Sequence, residues 1–201
     1  MWRIVDSGRA TGSIHMEADR AALAALNGSS APATLRFFQW ERPTVSYGYL
    51  LNESDVKSWA AKNEVGNLKL DFVQRPTGGG VVKHDDADLS FSLAWKKDDK
   101  FFSSNPRTCY GEIHARCIKA LEKSGAALPL VLHVTCKQTP KQFSACFEQP
   151  VCNDVMRGDE KIVGGALRVG RQATLYQGTI KLPPNADLFN LKRNISEAFQ
   201  S

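Results

Sequence analysis

The sequence predicts an α+β domain, with mixed β-sheets and helices packed on them. Three observations carry this. Short apolar runs with period-two alternation outnumber helical ones, strict β-α-β alternation is missing, and 201 residues suit one domain at roughly 100–200 residues each. A chain of this size buries about 70% of its unfolded surface, so its core needs no staples. Hydrophobic residues make up 42% and charged residues 23%, an ordinary globular composition.

The elements read as follows. Trp2–Val5 is a first strand. Ser13 caps a helix whose apolar side is Ile14, Ala18, Ala22, Leu23 and Leu26, ending at Asn27-Gly28-Ser29-Ser30. Thr34–Trp40 and Thr44–Tyr49 are strands split by Pro43. Asn52 caps a helix to Asn63, with Val56, Trp59 and Ala60 inward. Leu68–Gln74 is a strand that runs into Arg75-Pro76-Thr77-Gly78-Gly79-Gly80. Val81–His84 and Asp88–Trp95 are strands; in the second, Leu89, Phe91, Leu93 and Trp95 alternate with Ser90, Ser92 and Ala94. Lys96–Lys100 is a solvated turn. Asn105-Pro106 starts a helix with Tyr110, Ile113, Cys117, Ala120 and Leu121 on one face. Val131–Val134, Asp154–Met156, Lys161–Val169 and Thr174–Lys181 are strands, and Asp187 opens a last helix through Phe199.

Composition narrows the function. A formal charge of +5 is too weak to argue nucleic-acid binding by itself and suits an acidic protein partner. Five cysteines without C-x-x-C spacing argue against a disulfide framework or a zinc site. The four histidines share no ligand spacing, so no metal site is expected. No secretory signal and no membrane-spanning run is present, and the expected setting is a reducing cytoplasm.

Two segments carry chemistry. Three consecutive glycines at 78–80 have a high ordering cost, tolerated where backbone needs positive φ or close approach. Their N–H groups can form an anion nest, and Arg75 adds a planar cationic fork. The alternative is a hairpin tip. The loop is neither a Walker loop nor a dinucleotide fingerprint. The second segment is Lys161-Ile162-Val163-Gly164-Gly165-Ala166-Leu167. Most lysines are exposed. This one leads a strand whose small residues let a ligand lie on the backbone, where an ammonium can hold a developing oxyanion.

In order and separation, these segments resemble the catalytic domain shared by lipoate–protein ligases, octanoyltransferases and biotin–protein ligases. The motifs are Gln74-Arg75-Pro76-Thr77-Gly78-Gly79-Gly80-Val81-Val82-Lys83-His84, Asn153-Asp154-Val155 with Lys161-Ile162-Val163-Gly164-Gly165-Ala166, and Tyr176-Gln177-Gly178-Thr179-Ile180. Met16-Glu17-Ala18-Asp19 is similar to the family's first helix. The lipoate side fits better than the biotin side. Departures are Gln74 where an arginine is common, Tyr176-Gln177 where a histidine precedes the glycine, and Leu167 where glutamine is common.

The resemblance implies one catalytic domain over residues 1–201, without a DNA-binding or C-terminal accessory domain. It implies octanoyl or lipoyl transfer to the lysine of a lipoyl domain or a glycine-cleavage H-type protein. Lys161 would polarise the acyl carbonyl. Arg75, Thr77, Gly78, Gly79, Gly80, His84, Asn153, Asp154, Gly164, Gly165, Ala166 and Gly178 would bind the acyl group or an adenylate. His84 is read as a loop-ordering residue, with a general-base role as the alternative. In one sub-group of octanoyltransferases a Cys-Phe cysteine accepts the acyl group from acyl carrier protein; Cys146-Phe147 matches it. Cys152 is the second candidate, and a buried structural cysteine is the other reading of Cys146. Transfer needs no cofactor. The alternative, a lipoate–protein ligase, would use free lipoate, ATP and Mg²⁺, with Asn153 and Asp154 holding nucleotide or metal. A third reading is a non-catalytic binding protein on the same fold. No nucleic acid and no membrane is expected as partner.

Overall fold

The computed structural model describes residues 2–27, 30–62, 70–127, 129–135, 149–183 and 185–200. The strands are β1 (Arg3–Ala10), β2 (Thr34–Trp40), β3 (Thr44–Tyr47), β4 (Asp71–Gln74), β5 (Val81–His84), β6 (Leu89–Lys96), β7 (Val131–Leu132), β8 (Val155–Arg157), β9 (Glu160–Val169) and β10 (Ala173–Ile180). The helices are α1 (Gly12–Ala25), α2 (Glu53–Lys62), α3 (Pro106–Lys123) and α4 (Leu188–Gln200). Seven strands form one sheet in the order β1-β2-β6-β10-β9-β8-β7, and three form a second, β4-β3-β5. In the large sheet β1 runs parallel to β2, while the other pairs are antiparallel. The expected α+β class with mixed sheets is therefore found.

Sequence dictates the layers. On β2 and β6 the residues Leu35, Phe37, Leu89, Phe91, Leu93 and Trp95 join Ile113, Cys117, Ile195 and Phe199 in the main core, under α3 and α4. The opposite residues of these strands do not meet water. Ser90, Ser92 and Ala94 are buried, because α1 and the small sheet cover that face. Ser92 hydrogen-bonds Asp19 of α1, and Trp40 Nε1 donates to Ser90 Oγ at 2.9 Å. The alternation on β6 thus separates apolar from polar partners, not inside from outside.

Helix α3 forms as its sequence demands. Asn105 Oδ1 accepts from the Arg107 and Thr108 amides at 3.0 and 3.2 Å, and Pro106 takes the first helical position. Asn52 and Asp187 act similarly at α2 and α4, accepting from Ser54 N and Asn190 N. Helix α1 corrects the sequence reading. Its N-cap is Thr11, without a side-chain cap bond, and its buried face is Gly12, His15, Met16 and Asp19. Ile14 is 59% exposed. The buried face is polar because Arg36 of β2 waits beneath it. Arg36 Nε and Nη2 bond Asp19 Oδ1 at 3.0 and 2.7 Å, and Arg36 Nη2 also reaches the His15 carbonyl.

Candidate active site

A cavity of about 340 Å³ lies between the two sheets, within the size range of small-molecule sites. Met16, Phe38, Trp40, Leu50, Leu51 and Val82 supply apolar lining. Ser46, Arg75, Gly79, Gly80 and His84 line it from the small sheet and its loop; Lys161, Gly164, Gly165, Ala166, Gly178 and Thr179 line it from β9 and β10.

The glycine loop is not a hairpin tip. Strands β4 and β5 flank β3 on opposite sides, so residues 75–80 must cross the end of β3. The crossing is tight. Arg75 N donates to Tyr47 O at 2.7 Å, Tyr49 N to Thr77 O at 3.1 Å and Gly48 N to Gly80 O at 3.2 Å. A Cβ on Gly48 would collide with the Gly79 carbonyl. Gly79 has φ of +89°, a conformation that favours glycine. Arg75 closes the loop on itself. It donates to Ser46 Oγ at 2.8 Å and to the Gly78 and Gly80 carbonyls at 3.0 and 2.8 Å. These bonds make it a clamp on the loop, where the sequence suggested a fork for an external anion.

Thr77 is buried beneath the loop. Its hydroxyl donates to Gln177 Oε1 at 2.7 Å, and Gln177 Nε2 donates to Asp19 Oδ2 at 2.6 Å. Gln177, where the family often has histidine, is a bridging amide that accepts on one end and donates on the other. Gln74, the other departure, donates from Nε2 to the Tyr49 and Leu51 carbonyls at 3.3 and 3.2 Å.

His84 is buried and stacked on Trp40, with ring centroids 4.1 Å apart. Its Nε2 meets Ser46 Oγ at 2.7 Å, and its Nδ1 faces the Asp88 carboxylate at 3.8 Å. Burial pushes its pKa down to about 4. At neutral pH it is an uncharged imidazole wedged between Trp40 and Ser46. This geometry favours the loop-ordering role over that of a base poised near neutrality.

Lys161 is the reverse of the usual lysine, at 6% exposure. Its Nζ pairs with Asp154 Oδ2 at 2.8 Å. A Cβ on Gly164 would occupy the space of the Lys161 side chain, so this glycine first makes room for the lysine itself. Asp154 is fully buried. Val151 N donates to its Oδ2 and Tyr110 OH to its Oδ1, both at 2.6 Å.

Asn153 and Asp154, which the ligase alternative assigns to nucleotide or metal, both have partners within the fold. Asn153 turns its amide towards α3, donating to Arg107 O at 3.1 Å, and both Asp154 oxygens are occupied. Neither residue lines the cavity. Among the described residues no His, Cys, Asp and Glu cluster suits a metal ion. Thr77 and Gly78 also stand behind the lining. Cys146 lies outside the described residues, although Gln149, close after it in sequence, lines the cavity. Cys109 and Cys117 are free and buried, and burial raises both thiols to about 12. Cys152, the second acyl-acceptor candidate, is disulfide-bonded, a pairing the cysteine spacing did not signal and one that leaves it no thiol to acylate. No helix of the described residues is long and apolar enough to cross a membrane.

Sequence reasoning did not single out Phe38, Trp40 and Ser46 as lining, nor the hydroxyl of Tyr110 and the imidazole of His114. The alternation of β2 carried part of that signal. Arg36, Phe38 and Trp40 share one face, and an arginine there marks a face that is not plain core.

Residues 12–199 match the lipoyl protein ligase A/B catalytic domain. The octanoyltransferase LipM of Moorella thermoacetica is 30% identical over 198 residues, which span 98% of this chain and 71% of that protein. LipM of Bacillus subtilis is 28% identical over 195 residues, covering 94% and 69%. Among solved structures, a lipoate-protein ligase A bound with ATP superposes with a TM-score of 0.71 at 19% identity, covering all of this chain and 85% of that one. The bipartite lipoate protein ligase of Thermoplasma acidophilum gives 0.67 at 18%, covering 98% and 82%. The two-sheet cavity, the self-clamped glycine loop and the buried lysine thus come with a match over nearly the whole chain, which belongs to the lipoyl protein ligase A/B catalytic-domain family.

Proposed function

We propose that this enzyme is an acyltransferase that moves an octanoyl group onto the lysine of a lipoyl domain. The observation that carries this reading is Lys161, a buried ammonium at the wall of a largely apolar cavity. An alkyl chain lies among Met16, Phe38, Trp40 and Leu51, and its carbonyl meets Lys161. The ammonium stabilises the oxyanion that forms when a nucleophile attacks. Arg75, Gly79 and Gly80 shape the opposite wall, with Thr77 and Gly78 behind it. Gly164 makes room for Lys161, and Gly165 and Gly178 make room for the Tyr176 ring; with Ala166 they form the wall beside the carbonyl. The domain works as one unit.

Cys146 is the acyl acceptor in this reading. Its thiolate displaces the carrier thiol, forming a thioester; the lipoyl-domain amine then attacks, forming the amide and releasing the thiolate. The sequence proximity of Gln149 to Cys146 supports it. The donor is an acylated carrier protein and the acceptor a lipoyl or H-type domain. The reaction takes no cofactor, and the place of Asn153 and Asp154 outside the cavity lining favours it over an adenylating ligase.

Intact-mass measurement tests this. A lipoyl domain is incubated with the enzyme and octanoyl-acyl carrier protein under reducing conditions, without ATP. One octanoyl adduct on the domain is expected, and Cys146→Ala should abolish both the adduct and the enzyme-bound thioester. Modification only with free lipoate, ATP and Mg²⁺ would reject the transferase. Undiminished transfer by Cys146→Ala would reject the cysteine's role alone.

A further inference from the structure

Tyr110 sits on the inward face of α3, where a phenylalanine would fill the same space. A buried hydroxyl is costly unless it is bonded. This one donates to Asp154 Oδ1 at 2.6 Å, accepts from Gly165 N at 2.9 Å and lies 3.2 Å from Gly165 O. It carries one proton, and the short contact to a carboxylate is the stronger claim on it. One helical turn later His114 meets the Asn153 carbonyl through Nδ1 and Tyr176 OH through Nε2, both at 2.7 Å. Two side chains of α3 thus grip the turn that presents Asp154. Asn153 has φ of +70°, uncommon for a residue with a side chain.

We infer that Tyr110 is a positioning residue for Lys161, acting through Asp154. This rests on the reading of Lys161 given above. With Oδ2 shared by Lys161 and Val151 N, the bond to Oδ1 fixes the carboxylate plane, and the plane fixes the ammonium over Gly164. The same hydroxyl holds Gly165, next to the glycine on which Lys161 lies. It also spreads the charge of Asp154. Without it, the carboxylate binds the lysine's proton more tightly. The other titratable groups around Lys161 are His114 on α3, which burial keeps neutral, Tyr176 on β10, and Arg75 and His84 across the cavity.

The test is the amine reactivity of Lys161 in Tyr110→Phe, read by peptide mass mapping after pulses of acetic anhydride across pH. Labelling at neutral pH should fall roughly tenfold and the curve should move to higher pH, the size of one hydrogen bond to a charged group. Transfer should lose a similar factor in kcat with KM for the acyl donor unchanged. In an Asp154→Asn background, Tyr110→Phe should cost nothing further. If Tyr110→Phe fails to fold, 3-fluorotyrosine at 110, a stronger donor, should move the labelling curve to lower pH. Unchanged Lys161 labelling in a folded variant, or full additivity with Asp154→Asn, would overturn the inference. Labelling needs no turnover, so an inactive wild type would reject the functional reading without deciding this one.

Discussion

The two walls of the cavity each bury a cation, and they use it differently. On the small-sheet side, Arg75 gives donors to Ser46 and to carbonyls of its own loop. On the large-sheet side, Lys161 leans on a carboxylate that is itself pinned by Tyr110 and Val151. The first arrangement shapes backbone, because a guanidinium satisfies several fixed acceptors at once. The second aims a point charge. Burial of a charged group therefore does not mark the chemical one; its partners do. A clamp bonded to neutral carbonyls holds shape, and a cation held by one oriented carboxylate faces the cavity with a defined direction.

Breaking the lysine wall should have the largest effect. Lys161→Ala should reduce acyl transfer by at least a hundred- to a thousandfold, roughly the cost of one oxyanion donor, checked by the mass of the lipoyl domain. It should also destabilise the fold by about 3–5 kcal/mol, because Asp154 is left buried and unpaired; chemical denaturation reads this. Breaking the other wall should look different. Arg75→Ala should raise KM for the acyl donor more than it lowers kcat, since a loosened loop binds poorly. Steady-state kinetics separates the two, and a loss confined to kcat would erase the contrast.

A milder change sharpens the comparison. Thr77→Val cuts the loop's tie to Gln177 and should cost about 1–3 kcal/mol in urea unfolding, with a smaller rise in KM than Arg75→Ala. The last effect is confined to acid pH. Burial lowers His84 to about 4 and His114 to about 3 from the ordinary histidine value of 6.5. Below about pH 6.5 the unfolded chain takes up protons that the folded chain refuses, so stability falls as pH drops from there towards 3. The thermal midpoint should decline over that window, and His114→Gln should flatten the decline. A midpoint independent of pH across the window would contradict the burial of both rings.

The sequence made some of this legible and hid the rest for physical reasons. The cap at Asn105 and the inward face of α3 are local signals, and the helix follows them. The motif residues Lys161, Arg75, Gly79 and His84 do line one cavity. The inner face of α1 was misread because hydrophobicity marks burial only where partners are apolar. His15 and Asp19 are buried on account of Arg36, which is distant in sequence. The alternation on β6 could not reveal the second layer that buries its serines. Tyr110 was read as apolar packing, and its hydroxyl partner lies beyond the range of any local pattern.

The bridge from Thr77 through Gln177 to Asp19 ties together three segments spread over nearly the whole chain. Contacts of such long separation are assembled slowly, after loop closure has been met. A nascent or partly unfolded chain holds no glycine loop seated over its core, and so no place for an activated acyl group. The site exists only where these distant segments have met. The polar bridge makes the site a readout of completed folding.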